Sequence, residues 1–462
     1  MKKLAFLFFM SLFLGFCSFF KAKVLPYPSG VIFPIEKDEE ITYQGKIIDP
    51  MQKINRTIYF STLIGIVYSF DSLERKILWK FEAKNSLASA PHLSKEKIYV
   101  FDRRNTLYCL DEKGQLLWEK EIEENISSEV REDRERLYLG TEEGGLLALN
   151  SLDGELIWRF QAGGTIRSSP VFSDSWIIFG CDDGALYFLS RGGKLVDKFN
   201  TGDKIEASPL VDENRLYFGS HDRYLYCLDL KKRKAKWKVK SGDKILSQPL
   251  ADERRVFFVS WDSVLYSLNK YNGTILWWQI LPSRSLYRPE IIEDKIVASS
   301  FSSNLVCFDI KTGEKKGTYG ADQEVRSNPL WINPYLLINL YDYKKDEGRL
   351  VFLKKIVKVT LIPSTESPLE AGEEVTFTAK ATGFFQPKYE FYLKTEEKRE
   401  VVQEISEKGS WTWYPETLGV YSVGVKVVDG KEEAETEISF TIEKEGIKEI
   451  ESDKPVFILI CE

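Results

Sequence analysis

The strongest constraint in this sequence is a repeat of about 40 residues. Apolar stretches begin at Ile58, Ile98, Leu137, Ile177, Leu216, Val256, Ile296 and Leu336, and successive starts differ by 40, 39, 40, 39, 40, 40 and 40 residues. Ten residues after each of the first seven comes the centre of a second strand, at Tyr68, Tyr108, Leu147, Tyr187, Tyr226, Tyr266 and Val306. The eighth copy reaches its equivalent, Val351, five residues late, through the inserted "YDYKKDEG". Each copy holds four short stretches with alternating apolar residues, divided by turn residues, as in "IRSSPVF", "WIIFGCD", "GALYFLS" and "KLVDKF". One such meander cannot bury both of its faces, whereas copies stacked around an axis cover each other. A period near 40 with four strands per unit predicts a β-propeller. No stretch sustains a helical period, which excludes an α-solenoid.

The punctuation of the repeat is equally regular. Each copy passes through a short polar residue (Asp71, Asp111, Asn150, Ser190, Asp229, Asn269, Asp309) into a turn that holds Gly114, Gly154, Gly273 or Gly313 in four copies. A tryptophan follows in five copies, as Trp79, Trp118, Trp158, Trp237 and Trp277; Asp197 and Gly317 replace it in the other two. Seven residues before the next start stands a proline (Pro91, Pro170, Pro209, Pro249, Pro289, Pro329), replaced once by Val130. The polar residue and the glycine suit the turn between the third and outer strands. The indole, with its large apolar body and single N–H, can lie flat between neighbouring sheets and dock them. The pattern resembles the pyrrolo-quinoline-quinone-type propeller repeat, whose tryptophan-docking signature is A-x-D-x-x-x-G-x-x-x-W or close to it, and the resemblance covers residues 30–355. It implies a propeller whose blades are docked by the five tryptophans. Residues 30–50 read as the last strand of one repeat and the first of the next, while the final copy, residues 328–355, lacks an outer strand. The expected fold is therefore all-β, an eight-bladed propeller closed by an N-terminal strand around Ile32.

After residue 355 the texture changes. About seven alternating stretches over some 90 residues predict an immunoglobulin-like β-sandwich. The run from Trp411 to Asp429, with Tyr389, Tyr392 and Tyr421, resembles a family of bacterial sandwich modules known from a triple-tyrosine motif. The resemblance implies a ligand role for these aromatics; core and strand-pair packing is the other reading. The expected organisation is a signal or anchor over 1–23, the propeller over 24–355, the sandwich over 356–445 and a tail over 446–462. The tail carries "VFILIC", too short to span a bilayer and suited to an edge strand.

At the other end, two lysines precede an apolar run from Leu4 to Phe20, the pattern of a secretory signal. "LGFCS" resembles the bacterial lipoprotein signal, which implies lipidation of Cys17; Phe16 stands where a small residue is usual, so ordinary cleavage or retention stays open beside it.

The six cysteines (Cys17, Cys109, Cys181, Cys227, Cys307, Cys461) form no C-x-x-C pair, and the only histidines are His92 and His221, read as surface or loop residues. No catalytic, cofactor-binding or metal-ligating constellation emerges. Cys109, Cys227 and Cys307 share one place in the repeat with Ala148 and Ser267, so they are expected as separate buried thiols. The net charge of −6 with interspersed signs excludes a nucleic-acid patch, and the basic run at 231–236 falls at a turn. Arg167, Arg288 and Arg326, on or beside inner strands, are read as ordinary loop charges.

Among repeat families, quinoprotein dehydrogenases imply a quinone with calcium, long functional loops and a vicinal disulfide. This chain has no adjacent cysteines and uniformly short connections. It is more similar to the propeller lipoprotein family of the outer-membrane β-barrel assembly machinery, which implies a periplasmic, lipid-anchored scaffold binding its partner through loops on one face. The poor lipoprotein signal and the added sandwich depart from that family. The expectation is an exported, monomeric, non-catalytic scaffold with a protein partner in the cell envelope. It has no cofactor and no nucleic acid, and meets the membrane only through its N-terminal lipid or signal anchor. A ligand sensor or carbohydrate-binding surface protein is the alternative, and a quinone-dependent dehydrogenase a more distant one.

Overall fold

The computed structural model describes residues 35–444, except positions 95, 293, 333–334, 357, 383, 385–386, 396–397 and 430–431. The signal or anchor at 1–23 with Cys17, Ile32, and the tail at 446–462 with Cys461 lie outside the described residues. The chain divides into two compact units at Lys354/Lys355.

Among the described residues, the first unit holds eight four-stranded antiparallel sheets. Sheet 1 consists of strands Ile47–Ile54, Thr57–Thr62, Ile66–Asp71 and Lys76–Glu82, and sheets 2–7 repeat this order over 92–121, 131–161, 171–200, 210–240, 250–280 and 290–320. Sheet 8 takes three strands from the end of the unit, Leu330–Ile332, Tyr335–Asp342 and Glu347–Lys355, and its outer strand from the beginning, Ile35–Gln44. The inserted "YDYKKDEG" lengthens the central hairpin of this sheet, which pairs without interruption from Tyr335↔Lys354 to Asp342↔Glu347.

Burial follows position within a sheet. The second and third strands are covered on both faces and read as near-continuous apolar runs; every residue of Ile66–Asp71 is buried. Outer strands alternate, as in Leu156–Gln161, where Trp158 and Phe160 are half-buried between exposed neighbours. The innermost strands are shorter than the sequence predicts. In "IRSSPVF" only Val171–Phe172 joins the ladder, because a proline has no N–H to offer and its neighbourhood turns away from regular pairing.

The core is a circuit. Sheets 1 and 2 share the cluster around Tyr59, Val67 and Tyr108. Sheets 2 and 3 meet at Tyr99 and Leu137, 3 and 4 at Tyr138 and Phe179, 4 and 5 at Phe188 and Phe218. Sheets 5 and 6 share Tyr217 and Phe258, 6 and 7 Phe257 and Phe308, 7 and 8 Cys307 and Ile338. The last cluster joins sheet 8 to sheet 1 through Tyr43, Phe352, Phe60 and Phe70. Packing therefore returns to its starting point.

One device left only an indirect trace in the sequence. In sheets 1–7 the pairing of third and outer strands shifts register at the same place, after Ser69, Cys109, Ala148, Phe188, Cys227, Ser267 and Cys307. In the five tryptophan copies this residue is small and lies directly opposite the indole. A bulge sharpens the local twist and re-aims the side chain beside it. That explains why Cys, Ala and Ser alternate there. The four cysteines among the described residues are free and buried. Burial pushes the Cys109 thiol up to about 11 and those of Cys181, Cys227 and Cys307 up to about 12. These four thiols are expected to resist an aromatic disulfide reagent in the native protein and to react once urea unfolds it. Mass spectrometry of the labelled peptides checks this; labelling of Cys227 within seconds under native conditions contradicts it.

In the second unit, a three-stranded sheet (Lys358–Pro363, Val375–Thr382, Ser410–Trp413) and a five-stranded sheet (Leu369–Glu370, Glu432–Glu443, Gly419–Asp429, Lys388–Lys394, Arg399–Ser406) share a core of Phe377, Phe391, Val425 and Phe440. Among the described residues, eight strands stand where about seven were expected. The addition is Leu369–Glu370, which pairs parallel to Ile442–Glu443 and at two residues is too short for a periodic signal. Of the three tyrosines singled out, Tyr392 is buried, with the Arg399 guanidinium 3.7 Å from its ring centre. Tyr421 meets Trp413 edge-on at 4.9 Å, and Tyr389 packs at the edge of the core.

Candidate functional site

The repeat brings the innermost strand of each sheet, or the segment entering it, to a common channel. Its cavity, about 1130 Å³, is lined by the innermost strands of sheets 1–4, 7 and 8 and by the segments entering sheets 5 and 6. The lining turns on the residue that precedes each proline: Asp49, Ala90, Ser169, Ser208, Gln248, Arg288 and Asn328, with Glu129 before Val130. Because proline donates no backbone hydrogen bond, the preceding residue is free to connect sideways. Ser169 N donates to Ser208 Oγ at 3.0 Å and Gln248 Nε2 to the Pro209 carbonyl at 3.0 Å. Arg288 Nη1 donates to Gln248 Oε1 at 3.4 Å, and its backbone N to Asn328 Oδ1 at 2.8 Å. Asn328 N donates to Asp49 Oδ1 at 3.0 Å, across the seam between the last sheet and the first. A polar belt thus stitches sheets 4 to 8 and then sheet 1.

Protein surrounds these groups and shifts their titration. Burial, opposed by the hydrogen bond from Asn328 and reinforced by the nearby Glu129, raises the Asp49 carboxyl to about 7. Burial also raises Glu290 and lowers Arg288, each partly offset by the other's charge. Burial next to the Arg131 guanidinium pushes His92 down to about 3. His92 therefore stays neutral, and its Nε2 accepts from Glu132 N at 3.0 Å.

Asp49 yields a pH prediction. Its folded pKa lies above its unfolded value, so the folded state holds the extra proton between about pH 4 and 7, and stability falls as pH rises through that window. Asp49→Asn keeps the Oδ1 acceptor and removes the ionisation. The variant is expected to be more stable than the parent by about 1–2 kcal/mol at pH 8, the full shift being reduced by the channel's solvent, and to match it near pH 4. Urea unfolding at the two pH values reads this; equal pH slopes would sink it.

Several sequence expectations change here. Arg288 is a channel residue and part of the belt, not a loop charge; Arg167 also lines the cavity. Arg326 pairs with Glu324. His92 lies on an inner strand, and the His221 side chain is largely covered, with its Nε2 3.2 Å from Glu206. The basic run at 231–236 starts in a turn and continues into the exposed start of an outer strand. Asp49, Gln248, Glu290 and Asn328 were missed altogether, although one signal marked all but Glu290: the place directly before the repeat's proline.

The five tryptophans of the repeat stand on the outer strands of sheets 1, 2, 3, 5 and 6. Each indole rests against the turn glycine of the following sheet: Trp79 on Gly114, Trp118 on Gly154, Trp158 on Gly193, Trp237 on Gly273 and Trp277 on Gly313. Trp79 Nε1 donates to the Glu112 carbonyl at 2.8 Å, Trp118 to Ser151 at 3.3 Å and Trp277 to Ile310 at 3.2 Å. The turn polar residue cradles its own loop, as where Asp111 Oδ1 accepts from Lys113 N and Gln115 N. Gly114 there adopts φ +79, which a side chain would resist. Among the described residues, no group of three or more His, Cys, Asp or Glu is placed to hold a metal ion.

Comparison with known proteins agrees with this geometry. The sequence profile of the family described as outer membrane protein assembly factor BamB matches residues 64–204 and 182–319. Together these span 64–319, which is 256 of the 462 residues. Proteins of that name from Shewanella oneidensis and Yersinia pestis are 28% identical over 104 residues and 24% identical over 106, each match taking 20% of this chain. These matches cover 26% and 27% of the two relatives, so the chain spans about a quarter of their length. Among solved structures, BamB from Moraxella catarrhalis superposes with a TM-score of 0.60 at 16% identity, covering 69% of this chain and 99% of that one. The computationally designed Ika8 protein gives 0.58 at 13% identity, covering 67% and 97%. The fold of the first unit is thus that of a β-propeller.

Proposed function

The chain belongs to the family described as outer membrane protein assembly factor BamB, and on that premise we propose that it is an exported, non-catalytic scaffold that binds a protein partner in the cell envelope during outer-membrane protein assembly. The family match over 64–319 carries this reading. The packing circuit and the short turns support it, since they suit a rigid body that presents loops rather than one that closes over a substrate.

Within this proposal the eight four-stranded sheets are the blades of one closed propeller, residues 24–355, with Ile35–Gln44 completing the last blade. The five tryptophans dock each blade to the next. Residues 356–445 form an immunoglobulin-like sandwich, and the whole works as a monomer. The membrane is met only at the N-terminus, with Cys17 as the lipidated residue. Mass spectrometry of the mature protein reads the anchor: a diacylglyceryl group on Cys17 supports it, and a start near Lys21 overturns it. The channel does not fit a calcium-bound quinone. Asp49, Glu129 and Glu290 point to different partners, and the described cysteines are separate and absent from the lining.

The test is made in the source cell. A tagged full-length chain, crosslinked in the intact envelope, is expected to co-purify with the β-barrel subunit of the assembly machinery, and its deletion to lower the amount of folded outer-membrane β-barrel protein. Unchanged barrel levels together with no recovered subunit would overturn the proposal.

A further inference from the structure

The turn between second and third strands is built alike in sheets 1–7. The first residue beyond the second strand's turn position donates its N–H to the carbonyl of the segment entering that sheet: Leu63 to Lys46, Arg103 to Ser86, Glu142 to Asn125, Asp182 to Thr165, His221 to Lys204, Trp261 to Lys244 and Phe301 to Arg284. With the backbone held constant, only the side chain varies. In sheets 2–5 it is polar or charged. In sheets 6 and 7 it is a large aromatic, and the matching hairpin turn of sheet 8 presents Tyr343, which is 61% exposed.

These rings alternate with cations. Lys244 and Arg284 lie over Trp261 at 5.7 and 5.4 Å. Trp261 meets Phe301 edge-on at 6.1 Å. Arg326 lies 5.7 Å from both Phe301 and Tyr343, and Lys46 lies 5.6 Å from Tyr343. The second-to-third turns and the entering segments share one end of an antiparallel meander, so the row follows a single face from sheet 6 across the seam to sheet 1.

The electrostatics of the row are incomplete. A ring face holds a cation by its quadrupole without neutralising it. Arg326 has a carboxylate, Glu324. Lys46, Lys244 and Arg284 form no ion pair among the described residues. The half-buried Trp261 beside the exposed Arg284 and Tyr343 is also the composition in which protein-binding energy concentrates. The complement of alternating rings and unneutralised cations is a chain that alternates apolar side chains with carboxylates. A polyphosphate has nothing apolar to cover the ring faces of Trp261, Phe301 and Tyr343.

We propose that this row is the docking surface for an extended acidic peptide segment of the partner, whose carboxylates meet Lys46, Lys244 and Arg284 while its apolar side chains cover Trp261, Phe301 and Tyr343. The inference rests on the scaffold reading for the existence of a protein partner, and adds its place and chemistry.

The experiment uses the full chain and a fluorescein-labelled decapeptide of alternating Glu and Leu, followed by fluorescence anisotropy. Binding is expected, weakening as salt rises. The double variant Lys244→Glu, Arg284→Glu is expected to lose at least tenfold in affinity. Trp261→Ala should lose affinity too, with Trp261→Phe recovering part of it. Lys113→Glu, in an exposed turn at the opposite end of the sheets, should bind like the parent. Thermal melts within about 2 °C of the parent show that each variant is folded. Equal binding of a Lys–Leu decapeptide or a single-stranded oligonucleotide, or undiminished binding by the folded double variant, overturns the inference. Co-purification separates the two levels. If the double variant retains the envelope partner, this surface is wrong and the scaffold stands; if the parent itself recovers none, the scaffold reading falls.

Discussion

A chain that begins at Gly45, without the strand Ile35–Gln44, is expected to lose cooperative folding of the eight-sheet unit. That strand completes sheet 8, and its removal leaves the long edge of Glu347–Lys355 unpaired, an open template for aggregation. Tyr43 and Ile35 are 5% and 8% exposed, and each contributes about 1.5–3 kcal/mol of burial. The Tyr43 hydroxyl donates to Asn339 Oδ1 inside the protein, and stranding that acceptor costs about 1–3 kcal/mol more. The seam also loses its ion network. Arg75 pairs with Asp38 and Glu39, Lys354 with Asp38 at 2.9 Å and Arg349 with Glu40 at 3.3 Å. The Arg75 guanidinium lies over Tyr335 and Phe352 at 4.6 and 5.0 Å, joining sheet 1 to sheet 8. The sum reaches the whole stability of an ordinary domain, about 5–15 kcal/mol. Calorimetry should find the first unit's transition abolished or shifted far down, with amide exchange through Leu350–Leu353 accelerated first. A truncated chain that melts within about 2 °C of the parent would show that the circuit does not depend on this strand.

Trp277→Ala is expected to cost about 3–5 kcal/mol, more than alanine at any of the other four docking positions. Trp277 is 5% exposed, while Trp79, Trp118, Trp158 and Trp237 are half-buried. Its ring lies between Phe257 and Phe308, at 5.9 and 6.4 Å, and against Gly313. Gly313 adopts φ +72, and a Cβ there would meet Trp277 Cδ2 at 2.6 Å. Gly313→Ala alone therefore carries a backbone penalty of about 1–2 kcal/mol and an overlap with the indole. In the Trp277→Ala background the overlap disappears and only the backbone penalty remains, so the two changes should couple by about 0.5–3 kcal/mol. Thermal melts of the two single variants and the double variant give the cycle. Strict additivity, or equal losses at all five tryptophans, would mean that the indoles fill space on their own sheets rather than dock neighbouring ones.

Much of the fold was legible because its strands have fixed lengths and its turns fixed chemistry. Asp111, Gly114 and Trp118 recur at set distances in other copies since each acts locally, within one turn and one neighbouring sheet. The register shift opposite each indole left only an indirect trace, the preference for Cys, Ala or Ser at 69, 109, 148, 227 and 267. The channel was not legible. Its lining residues occupy the most variable place of the repeat, and a series such as Asp49, Ala90, Ser169, Gln248 and Arg288 looks like noise along the chain.

The sequence by itself determined the period, the strand order within each sheet and the positions of the five indoles, because these depend on contacts between residues close in the chain or one repeat apart. Only the tertiary structure decided what closure does. It sets Asp49 against Asn328, and lines up Lys46, Tyr343, Arg326, Phe301, Arg284, Trp261 and Lys244 along one face. Such neighbours arise when the last sheet returns to the first, and that return depends on the accumulated twist and packing of eight sheets rather than on any local pattern.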